Sequence, residues 1–396
     1  MTKKLQPKLR FRGFTDDWEQ RQFTTAFEFL KTNTYSRADL ELSTTGIVNI
    51  HYGDILVHYD CCLSVGDNAL VSLKDPSLAN AYGDNLLADG DAVIADTAED
   101  QAAGRCVELS NIGDRKVLAG LHTIAIRSRI KFGSGYLGFY LNSNAYRKQL
   151  LPQMQGTKVV SISKEALKRT SITMPSLSEQ VKIGDLLKKL DSLIAAEKRT
   201  LNLLKDKKTA LLQQIFTQKI RFKGFSGFWK CRRLKDEAIS VIAGGDIDRD
   251  MLLSSGRYPV IGNALTNNGV IGYYEKTYEV IGPAVTVTGR GEVGIAKVRE
   301  GNFTPVVRLL VVKSVHNPYF LECAINQCRP LLESTGVPQL TVPKLSNYEL
   351  SFPPTVSEEM SIGSLFNNIN SLIAAINHKI ELIELKKKSL LEKMFI

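Results

Sequence analysis

The chain has 396 residues, 43% apolar and 23% charged, with 51 Lys and Arg against 41 Asp and Glu. That composition describes an ordinary water-soluble protein of two or three domains. With no apolar run near the ~18 residues of a membrane span and no apolar core behind the basic start, it excludes a membrane partner and leads to a cytoplasmic expectation. The net charge of +10 favours a polyanionic partner such as nucleic acid, although Lys205, Lys207, Lys208, Lys386, Lys387 and Lys388 also keep predicted helices solvated.

In chain order, the first feature is Arg10-Phe11-Arg12-Gly13-Phe14 with Trp18, which returns as Arg221-Phe222-Lys223-Gly224-Phe225 with Trp229. A repeat of this length marks two half-molecules in tandem. The interior that follows, to about Thr170, reads as mixed α+β. Its strand candidates are Ile47 to Ile50, Ile55 to Val57, Ala92 to Ala95 and Thr123 to Ile126, with a closing helix over Tyr136 to Leu150 and a polar turn at Gly156.

From about Ser176 to Phe216 the pattern becomes one long helix. Its apolar positions Ile183, Leu187, Leu190, Ile194, Leu201, Leu204, Leu211 and Ile215 step by four and three, with Glu197 and Lys208 in the polar places. That is a heptad seam. Pro175 ends the preceding strand, Ser178-Glu179-Gln180 supplies an acidic first turn, and Ser178 is the expected N-cap.

The second interior, from about Phe225 to Leu350, differs in sequence. Strands are predicted at Ala284 to Val287 and Arg308 to Val312, a hairpin at Asn268-Gly269, a helix over Tyr319 to Leu332 and a turn at Gly336. The second long helix, Thr355 to Ile396, repeats the seam 179 residues on: Ile362, Phe366, Ile369, Ile373, Ile376, Ile380, Ile383, Leu390 and Met394, with Lys387 in the polar place. Pro354 and Ser357-Glu358-Glu359 open it, with Ser357 as the expected cap. Because the opening motif recurs at an offset of 211 and the seam at 179, the first interior is longer by 32 residues.

The expected architecture is therefore α+β, with two globular domains (1–175 and 217–354) separated by two long spacer helices (176–216 and 355–396). The helices pair antiparallel within the chain under a pseudo-twofold axis. Packing of each helix on its own domain, and homodimerisation through the seams, are the alternatives. Candidate DNA contacts are polar and basic loop residues: Tyr35, Ser36, Arg37, His58, Thr97, Arg105 and His122 in the first domain, and Arg249, Asn263, Asn267, Asn268, Arg290 and Lys297 in the second. Arg suits guanine edges, Asn suits adenine, and Lys suits phosphate.

Two motifs invite enzymatic readings and are better explained otherwise. Gly289-Arg290-Gly291-Glu292-Val293-Gly294 matches a dinucleotide fingerprint, but the alternating Ile295-Ala296-Lys297-Val298-Arg299 follows where a helix is required, so a hairpin turn is expected. Asn317-Pro318-Tyr319-Phe320 is similar to an adenine methyltransferase loop, yet Asn317 as N-cap and Pro318 at the first helical position account for it. Six cysteines form no C-x-x-C pair, and no metal site or catalytic constellation is expected.

The flank motifs, the helix openings and the order domain, helix, domain, helix resemble the specificity subunit of type I restriction-modification systems. Glu359 stands where that family commonly has glutamine. The resemblance implies a non-catalytic subunit in which each domain reads one half of a split, asymmetric site in double-stranded DNA while the paired helices fix the spacer. It further implies two modification (methyltransferase) subunits and restriction subunits as partners, with S-adenosylmethionine, ATP and Mg bound by those partners and no cofactor here. A coiled-coil adaptor joining proteins without touching DNA is the alternative.

Overall fold

In a computed structural model, which describes residues 5–66, 68–328 and 338–396, the chain divides into two compact units. Unit 1 comprises residues 1–198 with 379–396, and unit 2 comprises residues 199–378. Each contains one globular head together with a stretch of both long helices.

The unit 1 head begins with strands β1 (Glu19–Gln22), β2 (Phe27–Phe29), β3 (Leu40–Ser43) and β4 (Val48–Ile50), then helix α1 (Tyr52–Val57). Strands β5 (Cys62–Ser64), β6 (Leu70–Leu73), β7 (Ala92–Ala95), β8 (Cys106–Ser110), β9 (Val117–Ala119) and β10 (Thr123–Ser128) follow, then α2 (Tyr136–Asn142), α3 (Asn144–Leu150) and β11 (Ser171–Met174). A five-stranded sheet runs in the order β2-β10-β7-β8-β5, and a four-stranded sheet in the order β9-β4-β6-β3. The strand expected at Ile55 to Val57 is instead the one-turn helix α1. His51 caps it by accepting from Gly53 N, and only Ile55 of the apolar run is buried, with Val57 73% exposed. The helix expected over Tyr136 to Leu150 breaks at Ser143, whose extended backbone and capping hydroxyl start α3 afresh.

The long helix α4 (Leu177–Phe216) starts where expected, but Ser176 and not Ser178 stands at its N-cap; Ser176 O accepts from Glu179 N and Gln180 N. Unit 2 then builds β12 (Lys230–Arg233), β13 (Ala238–Ala243), β14 (Tyr258–Ile261), β15 (Val270–Tyr274), β16 (Ala284–Val287), β17 (Ala296–Arg299), β18 (Thr304–Pro305) and β19 (Leu310–Ser314). These are followed by α5 (Pro318–Asn326), β20 (Glu349–Phe352) and α6 (Val356–Met394). The main sheet has the order β13-β19-β16-β17, one strand fewer than in unit 1, in keeping with the shorter interior. The predicted strand at Arg308 starts two residues later because Arg308 itself is left-handed, with φ of 69°. The helix expected over Tyr319 to Leu332 ends earlier, at Asn326, where Gln327 is its C-cap and its N–H is shared among the carbonyls of Cys323, Ala324 and Ile325; the turn expected at Gly336 lies outside the described residues. Helix α6 is capped by Thr355, whose Oγ1 accepts from Glu358 N, and not by Ser357.

Within unit 1 the first half of α4 and the last part of α6 run antiparallel. Lys387 pairs with Asp191, Lys379 with Glu197 at 2.6 Å and Lys198 with Glu384 at 2.7 Å, so numbers rise along one helix as they fall along the other. Within unit 2, Leu211 and Ile215 of α4 share a core with Ile362, Phe366 and Ile369 of α6. Ile183, Leu187, Ile194, Leu201, Ile215, Ile362, Phe366, Ile376, Ile380 and Met394 are buried; Leu190, Leu204, Leu211, Ile369, Ile373, Ile383 and Leu390 are half-buried.

The core of each head is completed by the last turn of the helix that belongs to the other repeat. In unit 1, Phe395 lies 5.7 Å from Tyr136 and 5.9 Å from Tyr140, ring centre to ring centre. In unit 2, Phe216, its equivalent 179 residues earlier, stacks at 5.7 Å on Phe320 and meets Trp229 edge-on. The flanks repeat this logic. Arg10 forks onto both oxygens of buried Glu179 at 2.8 and 2.7 Å, and Arg221 onto Glu358 at 2.6 and 2.7 Å. Such bidentate pairs fix the angle between flank and helix. Gly184 and Gly363 explain themselves here: a Cβ would sit 2.4 Å from Ser134 O and 2.2 Å from Asn317 Oδ1 respectively.

Candidate nucleic-acid interface

In unit 1 the candidates gather around α1. Asp54, buried on that helix, accepts from Arg37 Nη1 at 2.7 Å, and Arg37 and His58 wall a cavity of about 550 Å³ with Leu42 and Tyr59. A second group meets at Asp96. Its Oδ1 takes the Thr97 hydroxyl at 2.7 Å and lies 3.4 Å from His122 Nδ1. His122 has a left-handed φ of 52°, costly for a residue with a Cβ, and its ring meets Tyr52 edge-on at 5.2 Å. Arg105 donates to the α1 carbonyl of Leu56 at 2.7 Å. Burial lowers the pKa of His51, the ring beside Tyr52.

Two unit 1 candidates have local duties. Tyr35 points inward, donating to Leu78 O at 3.0 Å and packing on Tyr82. Ser36 caps the turn at Arg37–Asp39 through Asp39. Asp54, Asp96 and Tyr52, which hold the others, escaped sequence reasoning. Their only signal was proximity in sequence to His51, His58 and Thr97.

In unit 2, the Gly289 to Gly294 segment is a turn between antiparallel β16 and β17, closed by Gly294 N to Thr288 O at 2.8 Å. Asn317 caps α5, accepting from Tyr319 N and Phe320 N at 3.0 Å. Asn263 is a clip, accepting from Gly289 N at 2.8 Å and donating to Val307 O at 3.2 Å. Arg290 projects exposed from the same turn. Arg249 lies among Asp246, Asp248 and Asp250, a setting that opposes phosphate contact.

Asn267 and Asn268 are both left-handed, with φ of 48° and 56°, in an eight-residue connection between β14 and β15. Asn267 donates to Val270 O at 3.0 Å. Asn268 Oδ1 accepts from Lys297 Nζ, and its backbone oxygen accepts from Arg299 Nη1 at 2.8 Å. Burial lowers the pKa of Lys297 and pushes that of Arg299 down to about 10. Arg299 and Arg257, absent from the sequence-based candidates, line the same cavity as Lys297 and Asn268. Strand alternation could have found Arg299, two residues from Lys297 and so on the same face.

No helix among the described residues is long and apolar enough to cross a membrane. A family model described as type I restriction modification DNA specificity domain matches residues 78–206 and 228–385. The chain is 25% identical over 235 residues to a putative type I specificity subunit, S.MpnORF507P of Mycoplasma pneumoniae, covering 58% of this chain and 63% of that protein. A second such protein of that organism, S.MpnORF89P, is 26% identical over 167 residues, 41% of this chain and 49% of its own length. The matched stretches thus span less than two thirds of these relatives. Among solved structures, the S subunit of the type I restriction-modification system from M. genitalium superposes with a TM-score of 0.69 at 12% identity, over 99% of both chains. A chain from a study of complex assembly and conformational transition in a type I R-M system gives a TM-score of 0.53 at 15% identity, over 97% of this chain and 99% of its own. At these identities the two structures attest the fold. The domain matches, by contrast, fall once in each half and together cover well over half the chain, which belongs to the type I restriction-modification DNA specificity family.

Proposed function

We propose that this chain is the non-catalytic DNA-recognition subunit of a cytoplasmic type I restriction-modification complex, reading a bipartite duplex site with one head per half. Two modification subunits dock on it and supply S-adenosylmethionine chemistry. Restriction subunits that use ATP and Mg join that core. The observation that carries this reading is the double match to the DNA specificity domain on two heads whose scaffolds repeat while their loops differ. Unlike loops call for unlike half-sites. The basic side chains Arg37, His58, His122, Arg290 and Lys297, all exposed, and the half-buried Arg105 are the proposed DNA-facing residues.

The test is methylation mapping of the host genome with this gene present and deleted. A split motif carrying one methylated adenine in each half is expected to vanish on deletion. An unchanged methylome in a strain that expresses the modification subunit would refute the reading. Calorimetry of the isolated chain with S-adenosylmethionine is expected to give no binding heat.

A further inference from the structure

Strand β17 lies at the edge of the unit 2 main sheet and alternates in its environment. Ala296 and Val298 face the core, while Lys297 and Arg299 face away from it. They open onto a cavity of about 680 Å³ whose wall also includes Arg257, Tyr258, Asn268 and Asn302. Arg257 lies over the Tyr258 ring, 5.3 Å from its centre, and Tyr278 backs that ring at 4.8 Å.

The three cations are held by neutral groups. Arg299 donates to Thr286 Oγ1 at 3.1 Å and to Asn268 O at 2.8 Å, and Lys297 donates to Asn268 Oδ1. Among the described residues no carboxylate lies within ion-pair distance of Arg257, Lys297 or Arg299. Glu300 in the wall accepts from Tyr319, and Glu322 behind the strand accepts from Val298 N at 2.8 Å. Elsewhere the chain does the opposite: Arg10, Arg37, Arg127 and Arg221 each meet a buried carboxylate. Arg299 is half-buried with no carboxylate in direct contact, and holding a guanidinium there is costly unless an anion completes the site.

We propose that this cavity is a phosphate site taking a backbone phosphodiester of duplex DNA, with Lys297, Arg299 and Arg257 as its ligands. The assignment rests on the DNA-recognition reading above. A guanidinium fork beside an ammonium suits tetrahedral oxygens. Base readout fits less well, because Asn268 has already spent on Lys297 the Oδ1 that a bidentate contact to adenine requires.

The test uses the complex assembled with its modification subunits, the duplex carrying the mapped motif, and a shuffled duplex. Affinity is measured across a salt series for wild type, for the double variant Lys297→Met with Arg299→Met, and for Arg257→Gln at an exposed position. Phosphate contacts are blind to sequence, so both duplexes are expected to weaken alike, by about tenfold, with the salt slope shallower by about 1 per cation removed. If the double variant loses its thermal midpoint, Arg257→Gln carries the same expectation. Unchanged affinity and slope, with wild type still binding, would overturn the site and leave DNA recognition standing. Loss confined to the mapped motif at constant slope would overturn it in favour of base readout. A wild-type midpoint raised by inorganic phosphate at fixed ionic strength, with the variants binding duplex normally, would reassign the cavity to a small free anion. A wild-type complex that binds neither duplex would refute the DNA-recognition reading itself.

Discussion

Phe395 should behave as a core residue of the first head. Here the ring is 4% exposed and rests on Tyr136 and Tyr140, both fully buried, with Met394 beside it at 3%. Truncating a buried phenylalanine to alanine costs about 3–5 kcal/mol, the upper part of that range applying where aromatic neighbours cannot collapse into the void. For a unit of this size each kcal/mol moves the midpoint by about 2–4 °C, so Phe395→Ala should lower the unit 1 transition by roughly 10 °C. Hydrogen exchange locates the effect. Amides of α2 and α3, some 250 residues upstream, should lose protection while those of α5 keep theirs. Phe216→Ala should do the reverse. A cost below about 1 kcal/mol, or protection lost in α5 instead, would refute the assignment of each helix end to the other repeat's head.

Gly184→Ala and Gly363→Ala should each destabilise by about 1–3 kcal/mol, against the gain of about 1 kcal/mol that alanine normally brings to a helix. The new methyl meets Ser134 O in one case and displaces the Asn317 cap in the other, and a rise in chemical-denaturation midpoint for either would contradict the packing. Burial raises the pKa of Glu108, opposed by the Gly138 and Gly135 amides that its carboxylate accepts. Because the folded state holds that proton more tightly than the unfolded, the stability difference between wild type and Glu108→Gln should fall as pH rises from the ordinary carboxylate range through the raised folded value. A flat difference across acid titration would exclude this. A double-mutant cycle on Asp191→Asn and Lys387→Met should return a coupling of about 1 kcal/mol that shrinks with salt, and no coupling at low salt would remove the pair from the account.

The long helices were legible because a heptad is a local pattern: the predicted spans 176–216 and 355–396 meet α4 and α6 within a residue or two at each end. So were the two dismissed motifs, where alternation after Gly294 and the Asn317-Pro318 pair were local signals. Misreadings arose where a tertiary contact outweighed a local preference. Ile55 to Val57 is a short apolar run with β-branched residues at both ends, but capping by His51 and burial of Ile55 make it helical. The caps moved from Ser178 and Ser357 to Ser176 and Thr355 because Glu179 and Glu358 are drawn into the first turns by Arg10 and Arg221. Periodicity carries no trace of partners that distant, and none of the docking of Phe395 or Phe216. Candidate site residues were the least legible, since a loop arginine and its carboxylate partner obey no spacing rule.

The three ion pairs that join the long helices in unit 1 are not written twice. Shifting each partner by the 179-residue period turns Asp191 and Lys387 into Asn370 and Lys208, Glu197 and Lys379 into Ile376 and Thr200, and Lys198 and Glu384 into Asn377 and Lys205. Two copies of α4 laid antiparallel would keep Asp191 against Lys208 twice but set Lys198 against Lys205 twice as well, leaving no net attraction, and two copies of α6 would retain none of the three attractions. Charge is thus apportioned between the repeats so that each helix tells its counterpart from itself. Apolar stripes that are interchangeable by shape are thereby kept from self-recognition by a handful of ions.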